Sequence, residues 1–237
     1  MSGIIGGIGA GSRSGVLGRL ITGPQIGSGT PNPGSYAGYA GPFLELKGAG
    51  PTLSLHDSGT GSPMWEIAGY NQDLRISDDG LDRFKISSDG EVLKPSQTAF
   101  HAYLSSNQDD PDGGTNLILN FDAEMFDIGS NFNISTKTFT APIAGKYLFN
   151  FRARLSDVDS AANYYNFLLK TTGTSYNYLF GMGGAGDKDY WAMGFSVIAD
   201  MAASETAYIY HNRSGGADLG SILSGTSYSE FSGYLLG

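Results

Sequence analysis

The sequence predicts an all-β chain that ends in a two-layer sandwich, and three observations carry that expectation. Strand-like runs recur at short intervals, separated by Gly, Asp, Asn and Ser. Tyr and Phe number 14 and 13 against 2 Trp, an aromatic load that suits strands. No stretch sustains a helical period. Leu117 to Met125 comes nearest, but its Gly and Asn flanks and its Phe and Ile content favour strand.

Composition narrows the function classes. A chain of 237 residues can hold one sizeable β domain plus extra material, or two small domains. Charged residues are only 16% and hydrophobic ones 40%, unlike a disordered chain. The net charge of −9 repels phosphate backbones, which argues against a nucleic-acid partner. With 0 Cys there are no disulfides, thiolate nucleophiles or thiolate zinc sites, so any assembly must hold without covalent staples. The first residues lack a basic segment before their apolar ones, and no apolar run reaches the length of a membrane span. The expectation is a protein with no signal peptide and no membrane insertion, made in a host cytoplasm and released by lysis.

Residues 1–41 are dominated by Gly, Ser and Pro, among the 36 Gly of the chain. Such a segment cannot pack a core alone, because glycine carries a large backbone entropy cost and no side chain to bury. A solvated tail would fit that composition. Yet Ile4, Ile5, Ile8, Val16, Leu17, Leu20 and Ile21 put seven aliphatics into the first 21 residues, which favours an extended anchor arm that orders against another protein.

Residues 42–94 read as a small β-rich stalk, with runs such as TLSLHDS, MWEIA, DLRIS and RFKIS. Leu74-Arg75-Ile76-Ser77-Asp78-Asp79-Gly80 recurs as Phe84-Lys85-Ile86-Ser87-Ser88-Asp89-Gly90, each copy closing on an Asp-Gly turn. Alternation puts Leu74, Ile76, Phe84 and Ile86 on one face and Arg75 and Lys85 on the other. So short a domain has a thin core for one chain, and burying that face among three chains would solve the problem.

Residues 95–237 carry the remaining strands, and here the spacing of aromatics is specific. Phe121, Asp127, Phe132 and Phe139 lead to Gly145, then Tyr147, Phe149 and Phe151 at alternate positions. Pro95 to Phe100 opens the region, and Phe231-Ser232-Gly233-Tyr234-Leu235-Leu236 closes it. This pattern resembles the globular head of complement C1q and its relatives, which share the tumour-necrosis-factor jelly roll. The resemblance implies ten strands in two sheets, a homotrimer about apolar and aromatic faces, and a binding module rather than an enzyme. Independently of it, the shared parity of Tyr147, Phe149 and Phe151 projects them into one face of a sandwich. Gly145, after Pro142-Ile143-Ala144, suits either a positive φ or a close approach.

No catalytic site can be assembled. Gly181-Met182-Gly183-Gly184-Ala185-Gly186 fits G-x-G-x-x-G, but strand follows where a phosphate-binding helix is required, and a hairpin loop is the expectation. Asp109, Asp110 and Asp112 gather carboxylates in a turn, and some relatives in the family bind calcium. The segment nevertheless lacks the alternate ligands and closing Glu of a calcium loop, and reads as a solvated turn. His56, His101 and His211 are far apart and read as isolated surface or interface residues. Asn133-Ile134-Ser135 and Asn212-Arg213-Ser214 are glycosylation sequons in form only. No metal or other cofactor is expected.

Arm, repeat-bearing stalk and terminal head make the order of a bacteriophage fibre or spike, which the stalk also resembles in its short strands, Asp-Gly turns and Trp strand. The expectation is a homotrimeric virion protein, a tail fibre or spike for host attachment. Its partners would be itself, other virion proteins through the arm, and a host cell-surface glycan or protein. Capsid decoration or a head fibre is one alternative, and a cellular C1q-like lectin another.

Overall fold

The computed structural model describes residues 25–29, 41–46, 49–56, 59, 61, 63–109, 117–184, 186–216 and 220–237. The chain divides into two compact units, Met1–Pro95 and Ser96–Gly237. Among the described residues there are strands and turns and no helix. The seven arm aliphatics, Ile4 to Ile21, lie outside the described residues.

The first unit holds β1 (Gln25–Gly29), β2 (Gly41–Glu45), β3 (Thr52–His56), β4 (Met64–Tyr70), β5 (Asp73–Asp78), β6 (Leu81–Ile86) and β7 (Val92–Leu93). β1 pairs antiparallel with β2. This ladder begins within the Gly-rich segment read as an extended arm, and a backbone ladder needs no side chains to pack. β3 to β7 form a five-stranded meander in sequence order. Two of its turns are tight. Tyr70 pairs with Asp73 across Asn71 and Gln72, at φ 50° and 67°, and Asp78 pairs with Leu81 across Asp79 and Gly80, at φ 47° and 81°. Two successive left-handed residues are the geometry that joins right-twisted strands.

Register places Arg75 directly opposite Lys85. The like charges are held by carboxylates. Asp73 accepts from Arg75 Nη2 and Lys85 Nζ, each at 2.8 Å, and Asp82 accepts from Arg75 Nη1 at 3.0 Å. Lys85 and then Arg75, by these hydrogen bonds, hold the Asp73 carboxyl below its usual range.

The second unit comprises β8 (Ala99–Tyr103), β9 (Leu117–Ile118), β10 (Ala123–Ile128), β11 (Phe132–Asn133), β12 (Thr138–Thr140), β13 (Gly145–Val158), β14 (Ala162–Thr171), β15 (Ser175–Phe180), β16 (Lys188–Met201), β17 (Thr206–Gly215), β18 (Ser221–Ile222) and β19 (Glu230–Leu235). They make two antiparallel sheets. One runs β10, β8, β19, β13, β16, with β18 also on β13; the other runs β11, β12, β17, β14, β15, with β9 also on β17. This is a sandwich of the jelly-roll kind.

The core is aromatic. Tyr147, Phe149 and Phe151 on β13 are buried, with their neighbours Ala153 and Leu155. Phe100 stacks on Phe132 at 4.8 Å and on Phe139 at 5.0 Å between ring centres, and meets Phe231 edge-on at 5.0 Å. Phe149 stacks on Phe231 at 5.7 Å. Gly233 makes room for this cluster, since a Cβ there would lie 2.5 Å from Phe100 Cε1 and 2.9 Å from two atoms of the Phe149 ring. For Gly145 the structure selects close approach, its would-be Cβ lying 3.0 Å from Leu235 Cδ1 and 3.2 Å from the Gly237 carbonyl.

Asp127 serves the backbone. Its Oδ1 accepts from the Asn131 amide at 3.1 Å and its Oδ2 from the Phe132 amide at 2.9 Å, tying a turn in which Gly129 and Ser130 have φ 98° and 54°. That turn aims Phe132 into the core.

The G-x-G-x-x-G run requires a correction. It links β15 of one sheet to β16 of the other, so it crosses between layers and does not close a hairpin. Gly183, Gly184 and Gly186 take φ of 48°, 77° and 71° there. Across this open side, Phe180 stacks on Trp191 at 5.8 Å and Tyr178 on Phe195 at 6.0 Å.

Phe149→Ala should destabilise the second unit by about 3–5 kcal/mol through lost transfer energy and a cavity. Gly233→Ala, which overpacks the same cluster, should cost about 1–3 kcal/mol. Chemical denaturation at fixed protein concentration measures both, and a wild-type midpoint for either would contradict the inward parity of β13 and β19.

Candidate functional site

Because β13 sends alternate side chains to opposite faces, Leu148, Asn150, Arg152 and Arg154 point away from the core that Tyr147 and Phe149 enter. The neighbours in register extend each of them into a row across the sheet. Leu148 lies opposite Tyr234 and Ile198, Tyr234 opposite Ala99, and Ala99 opposite Ile128. An apolar band thus crosses β10, β8, β19, β13 and β16 on the outer face. Ile198 is 58% exposed within it.

The next band is polar. Asn150 lies opposite Ser232 and Ser196, and the Ser196 hydroxyl donates to Asn150 Oδ1 at 2.6 Å. Beyond it sits a charged cluster from three strands. Glu230 accepts from Arg152 through Nε–Oε1 and Nη2–Oε2, each at 3.0 Å, and its Oε2 lies 2.9 Å from His101 Nε2. Arg152 Nη2 also donates to the Thr226 carbonyl at 2.7 Å. The His101 ring meets Phe126 edge-on at 5.9 Å. A cation–aromatic group ends the face, with the Arg154 guanidinium 4.4 Å from the Tyr190 ring centre and 4.9 Å from that of Tyr228.

Across this face apolar, polar, charged and cation–aromatic groups follow one another in order, and the Arg152 and Glu230 charges are paired. A face so built suits a flat protein surface of matching pattern.

The sequence-derived candidates fall elsewhere. Phe121, Phe132, Phe139, Tyr147, Phe149, Phe151, Phe231 and Gly233 meet in the core, with Asp127 and Gly145 at its margins. Asp109 is exposed and accepts from the Ser221 hydroxyl at 2.9 Å; Asp110 and Asp112 lie outside the described residues. Among the described residues no three His, Cys, Asp or Glu side chains gather to hold a metal. The three histidines are not brought together. His56 ends β3 on the exposed surface of the first unit, and His101 joins the outer-face cluster.

His211 corrects the expectation of a surface or interface residue. Its parity on β17 turns it inward, where it is buried with its ring 4.3 Å from Phe167 and its Nδ1 3.1 Å from the Asn166 carbonyl. It borders a small cavity of about 10 Å³ lined also by Leu155, Val158, Tyr165, Arg213, Gly220 and Ile222. Burial lowers its pKa to about 4.

Sequence reasoning missed the Arg152, Glu230 and His101 cluster. These residues lie 78 and 129 positions apart along the chain, and only strand register unites them. The alternation of β13 marks Arg152 as outward and says nothing of its partner.

Comparison with known proteins follows from this geometry. The family model of the C1q domain matches residues 99–236. The globular domain of zebrafish complement 1qA is 18% identical, with 60% of this chain and 98% of that one covered at a TM-score of 0.44. Murine APRIL, in its crystal structure at pH 8.5, is 8% identical, with 59% of this chain and 99% of that one covered at a TM-score of 0.43.

A pH dependence follows from His211. It stays neutral in the fold down to about pH 4, whereas the unfolded chain takes up its proton near pH 6.5. The stability it permits is therefore complete above pH 6.5 and declines as pH falls towards 4, by on the order of 3 kcal/mol across that window. His211→Gln should flatten the dependence of the unfolding midpoint on pH between 4 and 6.5. An unchanged slope in the variant would show that His211 is not the group responsible.

Proposed function

The chain belongs to the C1q domain family, and from that premise we propose that it is a homotrimeric recognition protein of a virion, a tail fibre or spike whose C-terminal unit meets the host surface. Homotrimers are typical of the family, and its domains are typically binding modules without enzymatic activity. One observation carries the threefold reading here. The band formed by Ile128, Ala99, Tyr234, Leu148 and Ile198 crosses a whole sheet, and although Ala99 is buried, Ile128, Tyr234 and Ile198 stand exposed among the described residues. An apolar row of that extent on a chain of net charge −9 calls for a partner, and copies of the same face provide one.

The charged cluster supports the same assignment. Arg152, Glu230 and His101 satisfy one another within a single chain, so they can enter a contact between copies without leaving an unpaired charge. The virion placement rests on the order of segments. A Gly-rich arm threaded with aliphatics precedes a repeat-bearing stalk over 42–94 and a head over 95–237, the order of a particle-bound fibre.

Light scattering at micromolar concentration should give a mass near three times 25.0 kDa. Ile198→Asp, which places an uncompensated carboxylate in the apolar band, should weaken assembly about 100-fold or more while circular dichroism stays native. A persistent wild-type monomer would sink the assignment. Particle incorporation tests the placement. Deleting residues 1–41 should leave the head folded and abolish incorporation into particles, since loose apolar contacts repeated on three chains act together. Particles that carry the truncated protein at normal copy number would remove the arm from the attachment mechanism.

A further inference from the structure

Among the described residues, one face of the five-stranded sheet of the first unit is apolar and in part exposed. Leu53 lies opposite Ile67, Ile67 opposite Ile76, and Ile76 opposite Phe84, a row across four strands. Leu55 lies opposite Trp65, and Leu74 opposite Ile86, which in turn faces Val92. These apolar side chains share one face; Ile76, Phe84 and Ile86 are half-buried, while Leu55 is 52% exposed and Val92 61%. The carboxylate that shares their face, Asp78, is engaged by Arg83 at 3.2 Å. The opposite face is where Asp73, Arg75, Asp82 and Lys85 neutralise one another.

We propose that this apolar face packs against the same face of two further copies of the chain, forming a contact among copies separate from the one on the head. The inference rests on the three-copy reading of the head. Three features select copies over a foreign partner. The patch leaves Leu53, Leu55, Trp65, Ile67, Leu74 and Val92 each 38–61% exposed side by side across the sheet, a contiguous apolar surface of the kind that marks a protein contact. Its repeat, with Leu74 and Ile76 answered by Phe84 and Ile86, makes the face similar to itself. It can therefore meet its own copy without the like-charge repulsion expected of an acidic chain. Finally, only residues 94–98 separate Leu93 of β7 from Ala99 of β8. Three assembled heads hold three such sheets at an effective concentration on the order of millimolar, which a dilute outside partner does not match.

The absence of cysteine gives the test. Ile67→Cys places a unique thiol in the centre of the apolar face, and Ser54→Cys places one on the opposite face. In the full-length protein, mild oxidation should link Ile67→Cys into covalent pairs of copies and leave Ser54→Cys unlinked. Maleimide should label Ile67→Cys about tenfold or more slowly than Ser54→Cys. Leu55→Cys, nearer the sheet margin, carries the same expectation should Ile67→Cys fail to fold. A protein that scatters as a trimer but labels both faces alike, without linking, overturns this inference and leaves the head assembly standing. A monomer overturns both. Slow labelling of Ile67→Cys in such a monomer would assign the cover to the chain's own residues.

Discussion

The second unit depends on the alternation of β13, because one strand there supplies both the core and the outer face. Tyr147, Phe149 and Phe151 enter the aromatic cluster, while Leu148, Asn150 and Arg152 pattern the opposite surface. A slip of one residue would exchange the two sets, exposing three aromatics and burying an arginine. Register is therefore held on both edges, by β16 along most of the strand and by β19 and β18 on the other side. Glycines enforce it sterically. Gly233 is the gap that Phe100 and Phe149 fill, and a Cβ at Gly194 would lie 2.6 Å from the Phe151 carbonyl. Core packing and the pattern of the outer face are consequently not separable properties of this sheet.

Much of the fold was legible, and the reasons are local. Alternating apolar residues and Asp-Gly turns mark β3 to β7, and the aromatic spacing marks the head. Asp127 was legible as a member of a pattern, although its role in tying the Gly129 and Ser130 turn needed coordinates. What could not be read shares one cause. The partner of Arg152, the inward turn of His211 and the crossing made by the glycine-rich loop all depend on which strands become neighbours. Such pairing is a non-local property, set by the whole arrangement of strands. The strand at Gln25–Gly29 escaped for the opposite reason, since its backbone pairing leaves little mark in side-chain pattern.

Both units show a similar imbalance. Each sheet closes one side by itself, the head with rings and the stalk with ion pairs, and leaves apolar side chains on the other. For a chain without cysteine, burial between copies would be a source of further stability. The self-neutralised charges beside each apolar region would make such burial less costly. On the proposed assembly, contact between copies would complete the core of each unit.

At the edge of the sandwich where β15 ends and β16 begins, the chain crosses between the sheets, and among the described residues the pairs of Phe180 with Trp191 and of Tyr178 with Phe195 stack across it. Rings in contact can part without breaking a backbone hydrogen bond, whereas opening the sheet at β13 would break ladders on both sides. Parting along this seam would cost ring contacts alone, and Trp191, half-exposed within it, is the side chain whose surroundings would change with it.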